Sequence, residues 1–245
     1  DESIKIAAKL NVSHKDFNAM YQEYDRLVKI GRIVEIDKRV KQFIMRYADG
    51  VIVNVGAELD TMFSRMDNGR IRWYNVDMPE TMELRRKMVE SRDREQNIGK
   101  SILDFSWLDS VKKKPGEAIL FVCCDVTKYF TDKKLQAFLN AIWERFPGAE
   151  VLFDVKNSVG RKRANLKVLT GKKKGSFIKV SIDNCTSLMY DWNIKYRVLY
   201  DRAILNQEDI TEMFSSDIAR KYRHAIRRKY DKIIQLRLGT ERIAI

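Results

Sequence analysis

A glycine and an acidic residue, each set directly after a short apolar run, are the groups in this chain best placed to do chemistry. Gly56 follows Val51-Ile52-Val53-Asn54-Val55, a β-branched run of strand length. Asp77 ends a second such run, Ile71-Arg72-Trp73-Tyr74-Asn75-Val76. Between them, residues 62–66 can form a helix and Asp67-Asn68-Gly69 a turn, so the spacing predicts a strand–helix–strand unit with a carboxylate ending its second strand. In an open parallel sheet, ligands bind outside the carboxyl ends of the strands, and a glycine there lets a ligand approach the backbone. A carboxylate on the next strand can accept hydrogen bonds from both hydroxyls of a ribose. The alternative reading makes Gly56 an ordinary turn residue and Asp77 a solvated strand end or helix cap.

These groups need a sheet to hold them. Ahead of it, residues 13–30 carry Phe17, Met20, Tyr21, Tyr24, Leu27 and Val28 at helical spacing, with Ser13 as N-cap and Asp16 three residues on. A second helix over 33–47 places Ile33, Ile36, Val40, Phe43 and Ile44 on one face before Ala48-Asp49-Gly50 stops it. The two form an N-terminal helical cap, with Arg32 at their junction, within reach of a ligand's carboxylate. After Asp77 a helix starts at Pro79-Glu80 and runs to about 91, acidic early and basic late at Arg85-Arg86-Lys87. Ser101-Ile102-Leu103 reads as a third strand, again ending on a carboxylate, Asp104. Ala118-Ile119-Leu120-Phe121-Val122 suits a central strand covered on both faces. Thr131 caps a helix with Leu135, Phe138, Leu139, Ile142 and Trp143 inward, and 150–155 is another strand. Beyond it, 158–174 reads as helix and loop, 194–200 as strand, 208–229 as helix and 233–238 as a last strand. The alternation argues an α/β, doubly wound, mainly parallel sheet.

The 245 residues suffice for one well-buried α/β domain with additions. Against 34 acidic residues stand 47 Lys and Arg, a net charge of +13 that favours polyanions or an anionic substrate. The basic groups are nevertheless scattered over 112–114, 161–163, 172–174 and 227–229, as solvated faces usually are. Cys123, Cys124 and Cys185 have no metal-ligand spacing and read as reduced thiols. No apolar run reaches spanning length, and the first residues do not form a signal peptide. A soluble, cytoplasmic protein without a membrane partner or metal is expected.

Three motifs in order then carry a resemblance: Asn54-Val55-Gly56-Ala57-Glu58-Leu59-Asp60-Thr61; Arg72-Trp73-Tyr74-Asn75-Val76-Asp77-Met78-Pro79-Glu80 with Glu83-Leu84-Arg85-Arg86-Lys87; and Lys100-Ser101-Ile102-Leu103-Asp104-Phe105-Ser106-Trp107. Over residues 32–154 the chain resembles the leucine carboxyl methyltransferase superfamily, most of all its bacterial branch of tetracenomycin-type polyketide O-methyltransferases. The resemblance implies a class I S-adenosylmethionine (SAM) methyltransferase fold, Rossmann-like, with seven strands of which the last is antiparallel. It divides a single domain into the cap (1–49), a cofactor-binding core (50–157) and an acceptor-side and C-terminal part (158–245). It implies SAM binding by Gly56 at the methionyl part, with Asp60 in the same loop, by Asp77 and Met78 at the ribose, by Asp104 and Phe105 around the adenine, and by Arg32 at the carboxylate.

Two departures stand out. The family usually has a second glycine where this chain has Glu58, and Glu-Gly where it has Cys124-Asp125; Asp125 could take over the hold on the SAM amino group from the missing glutamate. Acceptor contacts are expected within 181–200, from Asp183, Tyr190, Trp192 and Tyr196. Trp73, Trp107 and Trp143 are read as packing residues. His14 and His224 lie outside the motifs, so no general base is evident, which favours a carboxylate over a phenol as the small acceptor. The leading expectation is a SAM-dependent O-methyltransferase of a small, acidic or aromatic, polyketide-like acceptor. A non-catalytic binding protein of the same fold is the alternative that Glu58 and Cys124-Asp125 motivate. A nucleic-acid methyltransferase, motivated by charge alone, ranks third.

Overall fold

The computed structural model describes residues 2–13, 15–16, 22–90, 92–171, 175–204 and 216–239. Seven strands form one sheet: β1 (Val51–Val55), β2 (Arg72–Asp77), β3 (Glu95–Gly99), β4 (Ile119–Cys123), β5 (Glu150–Lys156), β6 (Tyr196–Ala203) and β7 (Asp231–Leu238). Their order is β3-β2-β1-β4-β5-β7-β6, and β7 alone runs against its neighbours. Val55 pairs with Val76, Asp77 with Gly99 and Cys123 with Phe153, so the parallel strands end along one edge. The order reverses beside β1, which makes the ends of β1, β2 and β4 the place for a ligand.

Alternation of side chains divides each central strand between two apolar layers. Val51, Val53 and Val55 face a layer built on Trp107, Phe121, Phe138 and Phe153, whereas Ile52 joins Phe43, Trp73, Leu120 and Leu152 on the other side. The first layer is covered by the helix Asp132–Arg145, whose N-cap Thr131 accepts from the Lys134 amide as the sequence predicts. The second is covered by a helix of 24 residues, Glu23–Arg46, with Ile36, Val40 and Phe43 fully buried.

That helix corrects the reading of two helices meeting at Arg32. Gly31 and Arg32 lie buried within a single helix, because a glycine flanked by good helix formers and packed against a sheet need not end one. Ile33, expected inward, is exposed. Ser13 and Asp16 do exchange the predicted capping bonds: the Ser13 amide donates to Asp16 Oδ2 (2.9 Å) and the Asp16 amide to Ser13 Oγ (3.2 Å). Phe17, Met20 and Tyr21 lie outside the described residues, as do His14, residues 172–174 and the first part of the helix expected over 208–229.

The third strand is also displaced from its expected place. It is Glu95–Gly99, a polar edge strand paired only with β2, and Ser101-Ile102-Leu103 is a turn closed by the Asp104 amide on the Ser101 carbonyl. An edge strand need not be apolar, so its sequence hid it. Asp104 therefore ends no strand. Among the described residues no helix is long and apolar enough to cross a membrane, and the three cysteines are unpaired.

Candidate active site

At the end of β1 the chain turns through Gly56 (φ +72°), whose amide donates to the Val76 carbonyl at 2.8 Å. A side chain there would collide with Val126 Cγ2, so Gly56 is required by packing from the β4 side. Two residues on, Glu58 has φ +41° and its amide donates to Asp77 Oδ2 at 2.9 Å, while the Met78 amide donates to Asp77 Oδ1 at 2.7 Å. Asp77 is thus a 9% exposed carboxylate locked by two backbone donors, with lone pairs remaining on both oxygens. Met78, half exposed, begins the helix Pro79–Met88.

Arg85 of that helix braces the turn from below. Its Nη1 donates to the Asp60 carbonyl (2.7 Å) and the Glu58 carbonyl (3.2 Å), and its Nη2 pairs with Glu95 at 2.9 Å. Glu95 in turn accepts from Asn75 Nδ2 at 2.7 Å, so an almost fully buried network ties β2, β3 and the helix to the loop that holds Asp77. From the sequence Arg85 is one of the late basic residues that suit the helix dipole, not a buried brace. Its signal was helical spacing, since Met82, Arg85 and Val89 share the buried face. Asp60 accepts from Asn54 Nδ2 (3.2 Å), and burial pushes its carboxyl up against the pull of Arg65. Asp104 is exposed and caps a short 3-10 turn, Phe105–Ser110, accepting from the Ser106 amide and hydroxyl, which hold its carboxyl below the usual range. Phe105 packs on Phe138, ring centroids 6.3 Å apart.

A second cluster occupies the ends of β4 and β5. Arg32 Nη1 lies 2.7 Å from Asp125 Oδ1 and 2.8 Å from Asp154 Oδ2, and Lys128 Nζ 2.7 Å from Asp125 Oδ2. The Asp125 amide donates to Asp154 Oδ1 at 2.6 Å. Burial opposes the charge on Arg32, but Asp154 and Asp125 more than offset it and raise its pKa. Burial likewise opposes the charge on Asp125, and Arg32 and Lys128 overcome it to hold the carboxyl well below its usual range. Cys124 beside them is a thiol that burial pushes up and keeps protonated. Asp154 and Lys128 were missed by the sequence reading, although Asp154 carried the signal used at β2, an acid near the end of an apolar strand.

Behind this cluster lies a cavity of about 370 Å³ between the helix Glu23–Arg46 and the helix Ser158–Leu169. Arg32, Asp125, Lys128 and Asp154 form one wall; Val28, Val168, Ile178 and Val180 make it partly apolar. Lys156 and Asp231, which pair with each other, close the floor, and Tyr24 Oη donates to Asp231 at 2.9 Å. The acceptor residues expected from the sequence are not here. Tyr196 pairs with Leu238, next to the Glu150–Arg237 pair, at the amino end of the sheet, and its hydroxyl donates to Asn140. Trp192 packs on the core, Tyr190 is 61% exposed, and Asp183 accepts from the Ser158 amide.

The residues present fit a SAM molecule best at its ribose, where Asp77 offers rigid, free lone pairs. They fit it less simply at the carboxylate, because Arg32 Nη1 already has two acidic partners.

No known family's sequence profile matches the chain. Among curated proteins it is similar to the tetracenomycin polyketide synthesis O-methyltransferase TcmP of Streptomyces glaucescens, 28% identical over 124 residues. That match spans 50% of this chain and 45% of that protein. Among solved structures it is similar to a DUF574 family protein from Streptomyces avermitilis (TM-score 0.59, 10% identity, 84% of this chain and 82% of that one). It is also similar to the magnesium protoporphyrin IX methyltransferase of Synechocystis PCC 6803 with bound SAH (TM-score 0.54, 10% identity, 89% and 88%). The fold is therefore that of class I SAM methyltransferases.

Proposed function

We propose that this chain is a SAM-dependent methyltransferase that methylates an oxygen of a small acceptor. The observation that carries the reading is Asp77: a carboxylate at the switch point, locked by the Glu58 and Met78 amides and free to accept from two vicinal hydroxyls. The sequence similarity to an O-methyltransferase, over 124 residues, supports the same class. Asp77, with Met78 beside it, would hold the ribose, Asp104 and Phe105 would bracket the adenine, and Arg32 with Asp125 would face the amino-acid end. Asp60 and Cys124 adjoin that end.

When bound, SAM supplies a methyl group on a positively charged sulfur. The protein's part is to hold an acceptor oxygen in line with it and keep water away. The cavity behind Arg32 and Asp125 is the space for that acceptor. Each carboxylate lining it is held by a cation: Asp125 by Arg32 and Lys128, Asp154 by Arg32, Asp25 by Lys167 and Asp231 by Lys156. His224 is exposed on the helix Ser216–Arg227, against Tyr230. A carboxylate acceptor needs no base and fits this lining; a phenol would have to arrive ionised.

One observation favours the second reading, a non-catalytic protein of this fold: Arg32 is bound on one nitrogen by both Asp125 and Asp154. Incubation with methyl-labelled SAM and a panel of carboxylic acids and phenols separates the two. Label recovered as a base-labile ester supports the carboxylate reading. SAM binding without transfer to any of the panel supports the non-catalytic one.

A further inference from the structure

Four charged groups meet at the ends of β4 and β5, and their three ion contacts are not equally needed. Arg32, with 9% of its side chain exposed, is already neutralised by Asp154, 14% exposed, at 2.8 Å. Asp125, the most open of the four at 38%, has a cation of its own in Lys128 at 2.7 Å. The contact between Asp125 Oδ1 and Arg32 Nη1, also 2.7 Å, therefore joins two pairs that would each stand without it. Of the three contacts it alone can be exchanged for an outside carboxylate without leaving a charge of the cluster unpaired.

Asp125 is also built to stay on Arg32. Its backbone is left-handed (φ +59°), its amide donates to Asp154 Oδ1 at 2.6 Å, and each of its carboxylate oxygens meets a cation. The cluster is closed in charge, two cations against two carboxylates, so a third carboxylate arriving at Arg32 meets two already there. Asp77 differs: only backbone amides hold it, and both its oxygens keep lone pairs for a ligand. The ribose end of the proposed SAM site is thus ready for its ligand, whereas the amino-acid end already holds the protein's own carboxylate.

We propose that Asp125 is an internal competitor for Arg32, and so the residue that decides which adenosyl compounds this site prefers. A ligand with an amino-acid carboxylate must take Arg32 from Asp125, which keeps Lys128. A ligand with the same adenosine and sulfur but no carboxylate binds at Asp77 without that exchange. The amino-acid tail then adds little affinity, and carboxylate-free adenosyl thioethers bind about as well as S-adenosylhomocysteine. This rests on the reading of Asp77 and Arg32 as the two ends of one SAM site. It is opposed to the other role open to Asp125, a hold on the ligand's amino group, under which its loss would weaken binding.

Calorimetric titration with S-adenosylhomocysteine and with 5′-methylthioadenosine, which lacks the amino-acid tail, tests this without any methyl transfer. Asp125→Asn keeps a side chain that tolerates left-handed backbone, and Asp125→Gly takes that backbone without strain, so both should melt as folded proteins. The parent should bind the two ligands within about threefold of each other. Both variants should bind S-adenosylhomocysteine about tenfold more tightly, the worth of one regained charge-assisted hydrogen bond, with 5′-methylthioadenosine unchanged. Variants that bind S-adenosylhomocysteine no better than the parent, or that tighten equally on both ligands, overturn the proposal. If the parent still binds 5′-methylthioadenosine in that case, the SAM-site reading survives it. A folded parent that binds neither ligand overturns both.

Discussion

Glu58 and Asp125 both hold left-handed backbone, at φ +41° and +59°, at two positions where the resembled family usually carries glycine. The departures in side chain have kept the glycine conformation. Such a conformation costs a non-glycine residue about 1 kcal/mol. Glu58, exposed, gains nothing visible in return, and Glu58→Gly should raise unfolding stability by about 1 kcal/mol in urea titration. Asp125 is different, because its carboxylate carries Arg32 and Lys128. Its carboxyl is held well below the usual range, so its stabilisation is complete above the unfolded value of about 3.9 and is lost as pH falls through the folded one. Arg32→Met, which strips Asp154 and the 38% exposed Asp125 of their shared cation, should cost about 2–3 kcal/mol at neutral pH, less than a fully buried pair because water reaches Asp125, and move acid unfolding to higher pH. An unchanged acid midpoint would show that Arg32 does not set the charge of this cluster.

At the scale of elements, the supports of the site differ in how plainly the sequence shows them. The strands β1, β2, β4 and β5 are apolar runs and are placed within a residue or two of where they lie. With them come Gly56 and Asp77 at their ends. The edge strand Glu95–Gly99 is polar and offers no apolar run, so the third strand was expected at 101–103, which misplaced Asp104. The helix Glu23–Arg46 was split at Gly31, because local propensity does not register the packing that carries a helix through a glycine. Arg85 and Asp154 carried only weak signals as site residues for a related reason: a charged side chain is inward only when its partners are, and Glu95 and Arg32 are distant in sequence. The brace has a measurable consequence. Arg85→Met should leave Glu95 unpaired in the interior and destabilise the protein by about 3–5 kcal/mol, with Glu95→Gln in the same chain recovering part of it. A loss below 1 kcal/mol would mean that the turn over Asp77 is held by other contacts.

At the scale of the whole molecule, strand order and charge distribution are the features that no local pattern contains. The antiparallel β7 between β5 and β6 completes the class I arrangement and, through Asp231, closes the floor of the cavity. Residues 161–163 and 227–229, far apart in the chain, come near each other where Asn157 Nδ2 donates to the Arg228 carbonyl and Arg163 packs on Tyr230. What the fold organises is a line of strand ends: Asp77 at one side of the switch point, the Arg32–Asp125–Asp154 cluster at the other, and the cavity beyond. Methyl transfer along this edge requires that the line bind SAM. Calorimetric titration of the purified protein with SAM and with S-adenosylhomocysteine tests this most directly, beside an Asp77→Ala variant shown by its melt to be folded. The parent should bind both ligands saturably, and the variant should lose that binding. A folded parent that takes up neither ligand, or an Asp77→Ala variant that binds them undiminished, would contradict it.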